Sequence, residues 1–202
     1  MDTFLIFVFV FGIFGWCIWK LLNYTKNTIG DNSPLKVVRV YQISELGYFL
    51  KLENLIIYYI LPLGFMFIKA AFTVVSSDIS LPLTRLLLFG LSSMVFSACA
   101  LYLILDINHW KYVRNVTLET NPTAHELYLH FPDYTLTLRD GDIERVIITS
   151  NEAKMRISYL TYFLKNGEQF ILSDRTPGIE VIHEYFKKIL IEYRKERFPY
   201  IK

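Results

Sequence analysis

Only two cysteines, Cys17 and Cys99, occur in the 202 residues. A disulfide-stapled scaffold and a four-cysteine metal site are therefore excluded. Neither sign of charge dominates: 21 Lys and Arg stand against 19 Asp and Glu. That balance excludes a polybasic nucleic-acid binder or an acidic tail as the main theme. GxSxG, Walker A and GxGxxG patterns are all absent. Gly12-Ile13-Phe14-Gly15 lies in an apolar run, not behind a strand. The four histidines are His109, His125, His130 and His183, and His125-Glu126 with His130 misses the HExxH interval. All four read as solvated surface side chains. No catalytic residue, cofactor or metal ligand is expected.

What the chain has in excess is apolarity. Apolar residues make up 53% of it, and the mean hydropathy is +0.32, above an ordinary soluble domain. The excess is concentrated in three runs, 3–22, 55–75 and 84–105. Each is about the 20 residues that cross some 30 Å of hydrocarbon as a helix. Three membrane helices are expected. The first is read as an uncleaved anchor: its start, Met1-Asp2, is acidic and its run is long for a signal peptide. Basic residues set the orientation. Lys20, Lys26, Lys36, Arg39 and Lys51 fall in 20–54, while 76–83 has no Lys or Arg. This places the N-terminus outside, with linker 23–54 and everything after 106 in the cytoplasm. Gly12, Gly15, Gly90, Ser93, Ser97 and Ala100 are small enough to permit close helix packing.

Three charges lie near the outer ends of these runs: Lys69, Asp78 and Arg85. The plain reading is two snorkelling cations with a loop counter-ion. The alternative is an intramembrane site for an ion, substrate or partner.

From residue 107 the composition becomes that of a soluble domain, and the pattern turns to period two. Strands are expected at 116–120, 126–131, 134–139, 143–149, 157–165 and 169–173. Asp140-Gly141 and Asn166-Gly167 are two-residue hairpin signals, read as type I′ turns. A helix should follow, with Thr176 as N-cap and Pro177 at its first position. Its apolar stripe is Ile179, Ile182, Phe186, Ile189, Leu190 and Tyr193, and Glu184 precedes Lys188 by four. The stretch 33–54 is ambiguous between a strand at 37–43 and an amphipathic surface helix, with a lean to helix at 44–54.

Three stretches carry a family likeness: YTLTLRDGDIERVII at 134–148, YLTYFLKNGEQFILSD at 159–174, and the helix from Pro177. They resemble a pleckstrin-homology-like domain of the bacterial, membrane-anchored kind, over residues 107–197. The resemblance implies a seven-strand antiparallel meander or barrel capped by one C-terminal helix. With six strands counted, the seventh is either hidden in 108–120 or supplied by 35–43. Arg139, Arg145, Lys154 and Arg156 are interleaved with acids, so phosphoinositide specificity is not carried over.

The expected architecture is a membrane α-helical part, 1–106, joined to an α+β PH-like domain, 107–202. The expected function is non-enzymatic: an inner-membrane protein whose domain binds a protein or scaffolds a complex. The turns at Asp140, Gly141, Asn166 and Gly167 would form the contact region. Two alternatives stand beside it. One is an immunity-type protein that neutralises a membrane-active toxin, and the other is an accessory subunit of a channel or transporter. The expected partners are the bilayer and a protein or a second copy, with no nucleic acid and no cofactor.

Overall fold

The computed structural model describes residues 11, 12, 14–16, 18–23, 25, 30–75, 81–152 and 156–202. Half of the first apolar run falls outside them; its described residues are helical and exposed. Cys17 and Asp78 also lie outside.

A stitched-on segment leads into the two long helices. Strand β1, Val40–Tyr41, and short helix α1, Glu45–Phe49, precede two long helices, α2, Leu52–Thr73, and α3, Leu81–Val113. Ser44 caps α1 by accepting a hydrogen bond from the Gly47 amide at 3.1 Å, which fits a helix over part of 44–54. The helix breaks at Leu50 and Lys51, and α2 starts afresh, with Pro62 inside it.

Helices α2 and α3 lie side by side. The Ser92 hydroxyl donates to the Gly64 carbonyl at 2.9 Å. Phe65 meets Phe96 edge-on at 4.9 Å, and Phe72 meets Phe89 at 5.6 Å. The close approach is at Gly64, where a Cβ would stand 2.8 Å from the Phe96 ring. Gly90, Ser93, Ser97 and Ala100 face away from this contact and are exposed. Among the described residues, these two helices are long and apolar enough to cross a membrane.

α3 does not stop where its apolar run stops. It continues through Asp106, Asn108 and His109 to Val113, 33 residues in all, or about 50 Å. Its last two turns belong to the domain.

Strands follow at β2, Thr117–Asn121; β3, Glu126–His130; β4, Thr135–Leu138; β5, Ile143–Ser150; β6, Ser158–Leu164; and β7, Gln169–Ser173. Each of the six expected strands is present. The seventh is β1, which pairs antiparallel with β2 (Val40 opposite Glu119) although the two long helices separate them in sequence. One sheet has the order β1-β2-β3-β4, the other β7-β6-β5-β8, where β8 is Leu190–Lys195. Alternation fills the space between them: Leu118, Leu127, Leu129 and Leu138 from the first sheet meet Val146, Leu160, Tyr162 and Leu172 from the second. Tyr162 and Phe170 stack at 4.7 Å.

Two local expectations fail in different ways. Asp140-Gly141 does not close a hairpin; β4 and β5 belong to different sheets, and the turn is the corner between them. Asn166-Gly167 does close the β6–β7 hairpin, but neither Asp140 nor Asn166 has positive φ; only the glycines do, at 85° and 88°. The Gly167 amide donates to the Leu164 carbonyl at 3.0 Å. The loop therefore ends on a left-handed glycine and is not a two-residue I′ turn, which needs positive φ at both central residues.

The closing helix is also shorter than its pattern. α4 spans Ile179–Tyr185, capped by Gly178 in the left-handed region rather than by Thr176. Leu190–Lys195 is a strand, β8, parallel to β5. Glu184 and Lys188 therefore share no helix. Residues 189–193, Ile-Leu-Ile-Glu-Tyr, satisfy a β template as well as a helical one. The free edge of β5 decided between them.

Candidate functional site: a polar joint between the long helices and the sheets

Asp106 is the first charged residue after α3's apolar run, and it is fully buried. A buried carboxylate needs a cation and hydrogen bonds. Arg175, in the turn after β7, forms the ion pair, with its own side chain 9% exposed. Asn54, in the first turn of α2, donates to the Asp106 carboxylate at 3.0 Å and to the Tyr48 carbonyl at 3.3 Å. The Tyr102 hydroxyl donates to Asn54 Oδ1 at 2.9 Å and accepts from Arg175 at 2.7 Å. The Tyr48 hydroxyl donates to the Asp106 carbonyl at 3.0 Å.

The guanidinium lies 5.4 Å from the Tyr48 ring centre and 5.8 Å from that of Tyr102, within cation–π range. Lys51 donates to the Arg175 carbonyl at 3.4 Å. Burial, then the neighbouring guanidinium, lower its pKa. Burial pushes the Tyr48 phenol up, so it stays a donor.

Five side chains from four segments thus satisfy one another. The constellation holds the domain in one orientation on the two helices. It presents no nucleophile beside a base, and its carboxylate is already engaged. Its chemistry is positional.

The same turn grips a second time. Asp174 accepts from the Ser158 amide at 2.9 Å and hydroxyl at 2.6 Å. Burial raises its carboxyl pKa, and the Ser158 bonds oppose that. His109, fully buried on α3, bonds Ser173 Oγ at 2.8 Å and the Pro199 carbonyl at 3.0 Å. The surface reading of His109 was wrong: α3 carries it past the apolar run into the domain. His125, at φ 54°, stacks on Tyr185 at 5.1 Å, and His183 is half-buried beside the Tyr162 hydroxyl at 3.4 Å. His130 meets Glu119 at 3.4 Å on the surface, as expected. Among the described residues no cluster could hold a metal ion.

His183 yields a pH prediction. Burial lowers its pKa below the usual 6.5, so the folded state favours the neutral ring. Its contribution is present above about pH 6.5 and is lost as pH falls through the lower folded value. Melts between pH 8 and 5 should show a falling midpoint that His183→Gln flattens. Because one proton at most is exchanged, this slope stays below about 1.4 kcal/mol per pH unit.

Of the residues singled out in the sequence, Lys69 and Arg85 lie exposed on α2 and α3, with no ion pair among the described residues. The two glycine turns come together: the Lys165 amide donates to the Asp142 carbonyl at 2.9 Å, and a Cβ on Gly141 would lie 3.5 Å from Lys165 Nζ. Asp140, Gly141, Lys165 and Lys188 line a cleft of about 280 Å³ there.

Sequence reasoning missed the joint. Its signals were faint: an Asn at the start of one apolar run, an Asp at the end of another, and one Arg in an Asp-Arg-Thr turn. Nothing in sequence pairs positions 54, 106 and 175.

Residues 40–174 match the family model of the PH domain. The match covers about two thirds of the 202 residues and includes β1 and both long helices. The chain belongs to the PH domain family. No curated protein and no solved structure matches it.

Proposed function

We propose that the chain is a non-enzymatic protein of the bacterial inner membrane, in which α2 and α3 cross the bilayer and carry the PH-like domain on the cytoplasmic side. There the domain binds a protein partner or scaffolds a membrane complex. One observation carries the membrane assignment: only 17% of each helix's most apolar window is buried within the protein. A core helix of a soluble domain would be mostly covered. The buried joint supports the scaffold reading, because a rigid mount is what a positioned docking domain needs. The glycine turns at 141 and 167 and the cleft beside them are the proposed partner face.

Fractionation and alkaline extraction of the full chain test the first half: the protein is expected to stay with the membrane pellet. Release into the supernatant would end the membrane reading. Photo-crosslinkers at Asp140 and Asn166 test the second half against one at Glu119. Discrete adducts from the first two positions alone are expected.

The exposed cations Lys69 and Arg85 favour a second reading, in which the helices recognise a membrane-active toxin. In that case Lys69→Leu with Arg85→Leu abolishes protection, while deletion of 107–202 does not. The scaffold reading expects the reverse pattern.

A further inference from the structure

We propose that residues 197–202 form an interfacial contact that engages anionic lipid headgroups; the proposal rests on α2 and α3 crossing a bilayer. Its basis is the depth at which this segment is held. The uncharged run of α3 ends at Leu105. At 1.5 Å per residue, Asn108 and His109 lie about 5–6 Å further on and Tyr112 about 10 Å. A headgroup layer is roughly 5–8 Å thick on each side of the hydrocarbon.

The segment is bound at that level. The Asn108 amide donates to the Ile201 carbonyl at 3.0 Å and accepts from the Ile201 amide at 2.8 Å. The Pro199 carbonyl meets His109 Nε2 at 3.0 Å, and the Tyr112 hydroxyl donates to the Lys202 carbonyl at 3.1 Å. Ile201 is the apolar anchor, 2% exposed.

With Pro199 and Ile201 facing inward, Phe198 and Tyr200 face out, each 40% exposed, their rings parallel at 6.4 Å. Arg197 and Lys202 flank them, both exposed and without an ion pair among the described residues. Aromatic rings between cations, held beside the end of an apolar helix, are the composition of a membrane–water boundary.

Phe49 of α1 packs on Trp110 at 5.4 Å. Leu46 and Leu50, one turn apart around α1, are exposed there. The exposed cations Arg197 and Lys202, beside outward-facing rings held at the end of α3, favour lipid over a protein partner as the occupant.

The test uses the full chain with Cys17→Ala and Cys99→Ala, placed in nanodiscs of phosphatidylcholine alone or mixed with phosphatidylglycerol. An environment-sensitive fluorophore is attached at Tyr200→Cys or, in a separate sample, at Leu91→Cys on the exposed side of α3. The label at 200 is expected to shift to the blue and lose access to an aqueous quencher when phosphatidylglycerol is present. High salt, or Arg197→Glu with Lys202→Glu, should reverse this. A label at 200 that stays aqueous while the one at 91 is in hydrocarbon overturns the lipid contact and leaves the membrane reading standing. If both labels are aqueous, both readings fail. Burial at 200 that ignores lipid charge and the double glutamate variant overturns the anionic recognition.

Discussion

Arg175→Ala is expected to lower the unfolding free energy by about 3–5 kcal/mol, because it strands the Asp106 carboxylate in a site that water does not reach. The loss is not confined to one ion pair. Arg175 also donates to Tyr102 and lies over two tyrosine rings, so those contacts go as well. The effect should be strongly non-additive. Arg175→Met combined with Asp106→Leu removes both charges together and should recover most of the loss, as apolar replacements of buried pairs often do. Thermal melts in detergent give the stabilities of both variants. Limited proteolysis reports the joint itself: with Arg175→Ala, cleavage in 114–116 should become faster than in the parent. Equal stability of Arg175→Ala and the parent would show that the joint holds nothing together.

Gly178→Ala is expected to cost about 2–5 kcal/mol through two separate causes. Gly178 sits at φ 76°, where any other residue carries a penalty of about 1–2 kcal/mol. Its new Cβ would also stand 2.6 Å from Tyr41 Cγ and 3.0 Å from Tyr41 Cβ. Those atoms are close to the backbone and cannot swing aside, so an overpacking cost of about 1–3 kcal/mol follows. Gly64→Ala makes a useful contrast. Its nearest neighbour is the far end of the Phe96 ring, which can rotate away, so a smaller loss is expected there. Tyr41 belongs to the segment that precedes both long helices, and it is stitched to β2 through Arg39 and Thr120 at 2.8 and 2.9 Å. Displacing it should free β1 first. Hydrogen exchange in Gly178→Ala should therefore rise at 39–41 before it rises at 127–129.

Much of the fold was legible. Alternation at 126–131 predicted both the strand and the face it buries, Leu127 and Leu129, because a period of two leaves one choice of face. The joint was illegible for an equally physical reason. Its partners are far apart in the chain, and each alone looks like an ordinary polar residue at the end of an apolar run. His109 misled in the same way. The run ended at Leu105, but α3 did not, so a residue assigned to the surface was carried into the core.

What the sequence determined by itself were the properties set within a short window: apolar runs of spanning length, strand faces, and glycines where φ turns positive. Only the tertiary structure decided what depends on neighbours. It turned 190–195 into a strand, because β5 offered a free edge. It supplied the seventh strand from the far side of two long helices. It paired Arg175 with Asp106, because burying one of those charges without the other would cost more than the fold can spare.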